Sequence, residues 1–352
     1  MSETISAAEI IALATAKVLR EDNSSVVMGL GVNDPKRVFG TTTGLVEEFG
    51  EKRVIETPTA ENAMTGVAVG LALANRKVIT VHQRLDFFLL AMDQLINSAA
   101  KWQYMFGNNT AMNLTIRLII GRGWGQGPTH SQNLASWFAH IPGLKVIAFS
   151  FADDVHSLFT AAVCEPGPTL ILEDRWIHHQ LATRDSFEAN FKSIGASVRR
   201  NGLDLTLVTY GYFVIESMAA ANVLMELEIS IEIVDLRWLK PLDHDTIRDS
   251  VAKTKRIVVY EPSHSICSIG SEVISRLTQQ SMDLLVSNPV QIAYPEIPEP
   301  TSHGVIGDYI PRALFLVEKI ASLFDKSLSD EQRDRLRPEY FDSPNPEFKG
   351  PF

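Results

Sequence analysis

Behind Ser6 and Glu9, whose spacing is that of a capping box, Ile10, Ile11, Leu13 and Leu19 recur at helical intervals, so the chain opens on an amphipathic helix. Short apolar runs then alternate with stretches of helical period. SSVVMGLGV, RVIET, KVITVHQ, LTIRLII, LKVIAFS and TLILED read as strands; TAENAMTGVAVGLALAN, FFLLAMDQLINSAAKW, HSQNLASWFAH and residues 152–163 read as helices between them. This alternation predicts a parallel sheet with helices on its faces and the site on loops at the strand C-termini. Residues 180–200 are polar, lack a sustained period and read as a linker. A second alternation follows, with strands LDLTLVTYG, ISIEIVDL, RIVVYE and PVQIAY and helices around SMAAANVLMEL, DHDTIRDSVAKT, SEVISRLTQQ and IPRALFLVEKIASLF.

The expected fold class is therefore α/β: two parallel-sheet domains with flanking helices, over 1–190 and 191–326, then a polar tail over 327–352. The tail is interrupted by prolines but keeps Tyr340, Phe341, Phe348 and Phe352, so it either straps onto a neighbouring surface or frays. One helix stands apart from the rest. Gly66 and Gly70 lie four apart, with Ala63 and Ala74 on the same face. Each Gly costs about 1 kcal/mol relative to Ala, which is tolerable where another backbone comes close, so this segment is predicted to be an interface helix.

Composition narrows the function classes. A chain of 352 residues is long enough for two domains that bury substantial cores. Its 32 basic and 42 acidic residues give a net charge of -10, which disfavours nucleic acid and anionic lipid as partners. Cys164 and Cys267 are the only cysteines, too few for a disulfide framework or a thiolate zinc site, and they suit a reducing compartment; the expected location is cytoplasmic. Glu3 and Glu9 stand where a secretory leader would be basic, and no run approaches the roughly 18 apolar residues of a membrane span.

Among candidate functional residues, Glu61 follows Pro58 at the end of a strand and opens the glycine-containing helix. A carboxylate there favours the helix N-terminus by about 0.3–1 kcal/mol, and it also stands where α/β domains hold ligands. The loop Gly121-Arg122-Gly123-Trp124-Gly125-Gln126-Gly127 lies between a strand and a helix, but it has no GK[ST], and Lys145, Val146 and Ile147 occupy the position of a ribose-binding acid. Its glycines allow close backbone approach, and His130 at the expected start of the next helix is a candidate proton donor. His178 and His179 are adjacent; on an extended chain they face opposite ways and cannot easily share a metal ion. No G-x-S-x-G elbow supports a hydrolase, and Trp102, Tyr104, Trp137 and Phe138 read as core or interface aromatics.

Several blocks in order carry a resemblance. GLVEEFGEKRVIETPTAE, VGLALA, AMDQLINSAAKWQYMFG, IGRGWGQGPTHSQNLASWFAHIPGLKV, IEIVDLRWLKPLD and IPEPTSHGVIGDYIPRA together resemble the β subunit of the thiamine-dependent 2-oxo acid dehydrogenase E1 component, in the transketolase-like superfamily. The resemblance implies a pyrimidine-binding transketolase-like domain followed by a transketolase C-terminal domain. It implies thiamine diphosphate shared with a separate E1 α subunit that holds the diphosphate and Mg2+, in an α2β2 heterotetramer with β-β contact through the C-terminal domain. By matching positions, Glu61 would bond N1' of the aminopyrimidine, Phe87 would stack on that ring, and Gln83 and Thr59 would line the pocket. His130 matches a histidine near the substrate and the lipoyl arm of an E2 partner, and some relatives bind K+ through backbone carbonyls. The diphosphate motif GDG followed by Asn is absent, Gly307-Asp308 being followed by Tyr309, so this chain is expected to supply half a site. Two departures stand out: Arg84, Leu85 and Asp86 are more charged than pyruvate-specific members would have, and 327–352 extends past the family's usual end. The alternative implied activity is a split transketolase-like carboligase acting on a sugar or aldehyde.

Overall fold

The computed structural model describes residues 4–107, 111–122, 125–184, 194–338 and 341–342. These form two compact units. The first comprises 1–121, 137–194 and 239–241, and the second 122–136, 195–238 and 242–352.

The first unit is built on a seven-stranded sheet in the order Trp238–Lys240, Lys145–Ala148, Thr169–Asp174, Leu114–Ile120, Val78–His82, Val26–Gly29 and Val54–Glu56. From Lys145–Ala148 to Val54–Glu56, every neighbouring pair is parallel. Leu114–Ile120 is buried along its whole length, as a strand covered by helices on both faces must be. The helix Ala7–Glu21 starts with the expected capping box, Ser6 Oγ accepting from the Glu9 amide at 3.3 Å and Glu9 Oε2 from the Ser6 amide at 2.7 Å. Its apolar face packs on the helix Ala152–Cys164.

The second unit is built on five strands in the order Val290–Tyr294, Ile257–His264, Leu205–Thr209, Ile231–Asp235 and Ser197–Arg200. All pairs are parallel except the edge strand Ser197–Arg200, which runs antiparallel to Ile231–Asp235. Two parallel-sheet units with flanking helices are thus present, as the sequence pattern leads one to expect.

Local departures have physical causes. The apolar stretch 87–102 is not one α-helix: it passes through a 3-10 turn at Leu89–Ala91 and a π-helical turn at Gln94–Ala99 before resuming as Ala100–Met105. Gln94 in the wide turn lies against Gly66, where a Cβ would stand 3.4 Å from its Oε1, so Gly66 admits close packing inside this unit. A Cβ on Gly70 would meet no atom within 4 Å, and that face of the helix Glu61–Leu73, with Ala63 and Val67, is exposed.

The expected helix at HSQNLASWFAH is shorter, Ala135–His140, because Asn133 Oδ1 accepts from the Ala135 amide at 3.1 Å and caps it there. His130 therefore lies in a turn before the helix rather than at its start. Within the presumed linker, Leu181–Thr183 pairs with Thr4–Ser6, and 185–193 lie outside the described residues. The tail carries a helix, Asp330–Leu336, with its own Ser329/Gln332 capping box. Tyr340, Phe348 and Phe352 lie outside the described residues, as do Gly123 and Trp124.

Candidate active site

In the first unit, Thr59, Glu61, Gln83 and Phe87 converge on one small cavity together with Leu30, Met64 and Val81. The parallel strands Val26–Gly29 and Val78–His82 end side by side beneath it. A Cβ on Gly29 would fall 2.4 Å from the Val81 carbonyl, so the close approach of these strand ends requires glycine. Beyond Gly29, the Glu56 carboxylate accepts the Gly31 amide at 2.6 Å and the Asn33 amide at 2.8 Å, which fixes the loop that presents Leu30. Gln83 Nε2 donates to the Leu30 carbonyl at 3.3 Å and ties this loop to the next strand end.

Glu61 is the first residue of its helix, and Ala60 before it provides no side-chain cap. The carboxylate is thus half-buried beside backbone amides that lack a side-chain acceptor. Phe87 is 37% exposed, which leaves an aromatic surface available to a ligand. The cavity itself holds only about 20 Å³, room for one water rather than a ring. Pockets that bury a small ligand run to ~300–1,000 Å³, so this cavity alone does not enclose one.

His82 lines the same cavity and escaped the sequence reading. It is 3% exposed, its Nε2 has no hydrogen-bond partner among the described residues, and its ring meets the edge of Phe88 at 4.6 Å between centroids. Burial holds the imidazole down, from 6.5 to about 3, so it is neutral in the folded protein. The unfolded chain takes up a proton below pH 6.5, and this contribution to stability is lost as pH falls toward 3, by up to about 1.4 kcal/mol per pH unit. Asp174 works in the opposite sense. Burial raises its carboxyl to about 6, against the Trp176 amide and the charges of Arg84 and Arg175, so it favours the fold as pH drops from 6 to 3.8. Urea midpoints between pH 7 and 4.5 should accordingly fall more steeply for the native protein than for His82→Phe; equal slopes would remove His82 from this account.

Arg84 does not line the cavity. It is 3% exposed and donates from Nη1 to the Gly121 carbonyl at 2.6 Å, which anchors the end of a central strand. His178 and His179 are not on an extended chain but in a 3-10 turn. His178 is buried against Glu173 at 3.3 Å while His179 is exposed, so they still point apart. Phe138 is fully buried, whereas Trp137 is 56% and Tyr104 92% exposed.

His130 belongs to the second unit and is not among the residues around Glu61. Its Nδ1 lies 3.0 Å from Thr129 Oγ1. Close by in sequence, Gln132 and Asn133 line a cavity of about 350 Å³ with His264, Tyr294, Glu296 and Tyr309. Asn133 Nδ2 donates to the Pro262 carbonyl at 2.9 Å, which ties this segment to the end of strand Ile257–His264. The glycine-rich segment before His130 is anchored by Arg122, whose partners Glu299 and Asp342 are 177 and 220 residues away. No local signal could have announced that pairing. Among the described residues no group of three His, Cys, Asp or Glu side chains could hold a metal ion, and no helix is long and apolar enough to cross a membrane.

Two family models match in order: the transketolase pyrimidine binding domain over residues 3–177 and the transketolase C-terminal domain over 195–313. The chain is 33% identical over 321 residues to the pyruvate dehydrogenase E1 component subunit beta of Rhizobium meliloti (strain 1021), covering 91% of this chain and 70% of that one. It is 34% identical over 294 residues to the acetoin:2,6-dichlorophenolindophenol oxidoreductase subunit beta of Cupriavidus necator, covering 82% and 86%. Among solved structures, a split-gene transketolase described as an inactive beta4 tetramer superposes with a TM-score of 0.74 over 90% of this chain and 97% of that one, at 20% identity, a likeness of fold. With both transketolase-type halves in order and a third of its residues shared with E1 β subunits over most of its length, the chain belongs to the transketolase-like family of 2-oxo acid dehydrogenase E1 β subunits.

Proposed function

We propose that this chain is the β half of a thiamine-diphosphate-dependent enzyme that oxidatively decarboxylates a 2-oxo acid and passes the acyl group to an acceptor. The observation that carries the reading is the shallow cavity in which one helix-opening carboxylate, Glu61, stands beside an accessible aromatic, Phe87, between apolar walls. These residues fit an aminopyrimidine. Glu61 can hold the proton shared with ring nitrogen N1', Phe87 can stack on the ring, and Thr59 and Gln83 add polar contacts at its edge. Bound there, the coenzyme supplies a carbon nucleophile and a sink for the electrons freed when CO2 leaves. This chain's part is to keep N1' protonated through Glu61, to orient the ring and to exclude water behind Leu30, Met64 and Val81. His130 moves a proton during acyl transfer.

A wall this shallow calls for a second one. We assign it, with the grip on diphosphate and Mg2+, to an E1 α subunit in an α2β2 assembly. A β-β contact through the C-terminal unit, a K+ held by backbone carbonyls and a lipoyl-bearing E2 acceptor belong to the same reading. The two cysteines are free and exposed, which suits a reducing, cytoplasmic location.

Relatives named for pyruvate and for acetoin are equally similar, so identity does not select the substrate. The split-transketolase likeness, at 20% identity, supports the fold and gives the carboligase alternative no further weight. The test is to co-express the chain with an adjacent-gene candidate carrying GDG and Asn, and to assay pyruvate, branched-chain 2-oxo acids and acetoin. Reduction of an artificial electron acceptor by a 2-oxo acid is the expected result. Aldehyde ligation without reduction would replace the dehydrogenase reading with the carboligase one.

A further inference from the structure

The second unit carries a buried charge cluster that the Glu61 cavity does not use. Arg122 opens the glycine-rich segment and is 5% exposed. Its Nε donates to Asp342 Oδ1 at 2.5 Å, its Nη1 to Glu299 Oε1 at 2.6 Å and its Nη2 to the Pro300 carbonyl at 3.4 Å. The other oxygen of Asp342 accepts the Gly125 amide at 2.7 Å. Both carboxylates are buried with the guanidinium, which they share, and the Gly125 amide also bonds Asp342.

Asp342 reaches this place because the tail is fastened at successive points. Within the helix Asp330–Leu336, Arg335 binds Glu226 and Arg333 binds Glu318. Further on, the Phe341 carbonyl accepts from Arg312 Nη1 at 3.2 Å, and the Phe341 ring lies where a Cβ on Gly307 would come within 3.4 Å of it. Each fastening raises the effective concentration of Asp342 at Arg122.

Gly125 and Gly127 both adopt φ +67, a conformation that glycine reaches freely and also leaves freely. Fixing such a chain costs conformational entropy that contacts must offset. Those contacts come from Thr301, which a Cβ on either glycine would meet, and from Asp342.

We propose that Asp342 is a latch on Arg122 and Gly125, with Arg122 and Asp342 as positioning residues that fix the chain leading to His130. The latch concerns this segment alone; its effect on turnover rests on the role given to His130 above.

The experiment is hydrogen exchange on the full chain assembled with its partner subunit, for Asp342→Asn, Asp342→Glu and a deletion of 339–352. Amides at 125–134 should exchange about tenfold faster or more in Asp342→Asn and in the deletion, while those of strand Leu205–Thr209 stay unchanged. Asp342→Glu, which keeps the charge, should retain most of the protection. In turnover, kcat should fall in the first two variants with KM and thiamine diphosphate binding unaltered. Unchanged exchange at 125–134 overturns the latch. So does an equal acceleration throughout the second unit, which would make Asp342 a general stabiliser. Local loosening with undiminished kcat upholds the latch and removes His130 from the reaction.

Discussion

Glu61→Ala is expected to leave the fold and the assembly with a partner intact and to lower coenzyme-dependent decarboxylation by about two to four orders of magnitude. The fold should tolerate the change because Glu61 is half-buried in a first turn, where a carboxylate contributes about 0.3–1 kcal/mol. The reaction should not tolerate it, because no other carboxylate lines the cavity among the described residues. Glu61→Gln separates charge from shape: an amide can still hydrogen-bond N1' but cannot hold its proton, so turnover should fall almost as far. Phe87→Ala should show the complementary defect, weaker coenzyme binding with a smaller loss of kcat at saturation. The measurement is single-turnover decarboxylation beside calorimetric titration with thiamine diphosphate. Native turnover in Glu61→Ala would end the assignment.

Glu61 could be found from sequence because its position has local causes: an apolar strand, a proline that stops it, and a helix of small residues that starts at once. The same reasoning located the central strands, whose largely apolar runs come from burial on both faces. It did not locate Trp238–Lys240, which joins the edge of the first sheet from 90 residues beyond its neighbour, nor the polar strand Ser197–Arg200, whose residues remain partly exposed. The helix after His130 starts later than its sequence pattern suggests because the Asn133 side chain accepts from the Ala135 amide. His82 reads as one more strand residue; its significance lies in a missing hydrogen bond, visible only with its surroundings in place. What the residues at the cavity do came from the resemblance, because spacing can bring Glu61 to a strand end but cannot name the ring it would face.

The largest stability effect is expected in the middle of the first sheet. Arg117 and Glu173 lie on the paired strands Leu114–Ile120 and Thr169–Asp174, both side chains fully buried, joined by Nε–Oε1 at 2.5 Å and Nη2–Oε2 at 2.9 Å. Burial would raise the Glu173 carboxyl, but Arg117 and, after it, His178 hold it below the usual carboxylate range. Arg117→Met leaves that carboxylate buried with only the His178 imidazole beside it, at a cost of roughly 3–5 kcal/mol. In that variant the Glu173 pKa rises above its unfolded value, so stability should recover as pH is lowered, opposite in sign to the His82 contribution. Glu173→Leu leaves a buried guanidinium and should cost a similar amount. The double variant Arg117→Met/Glu173→Leu removes both charges, and because Arg117 Nη1 lacks a hydrogen-bond partner among the described residues, the native pair is not fully compensated. It should therefore return to within about 1–2 kcal/mol of the native protein or exceed it. Urea denaturation of the four proteins closes the cycle; single losses that simply add in the double variant would mean that the two charges do not depend on each other.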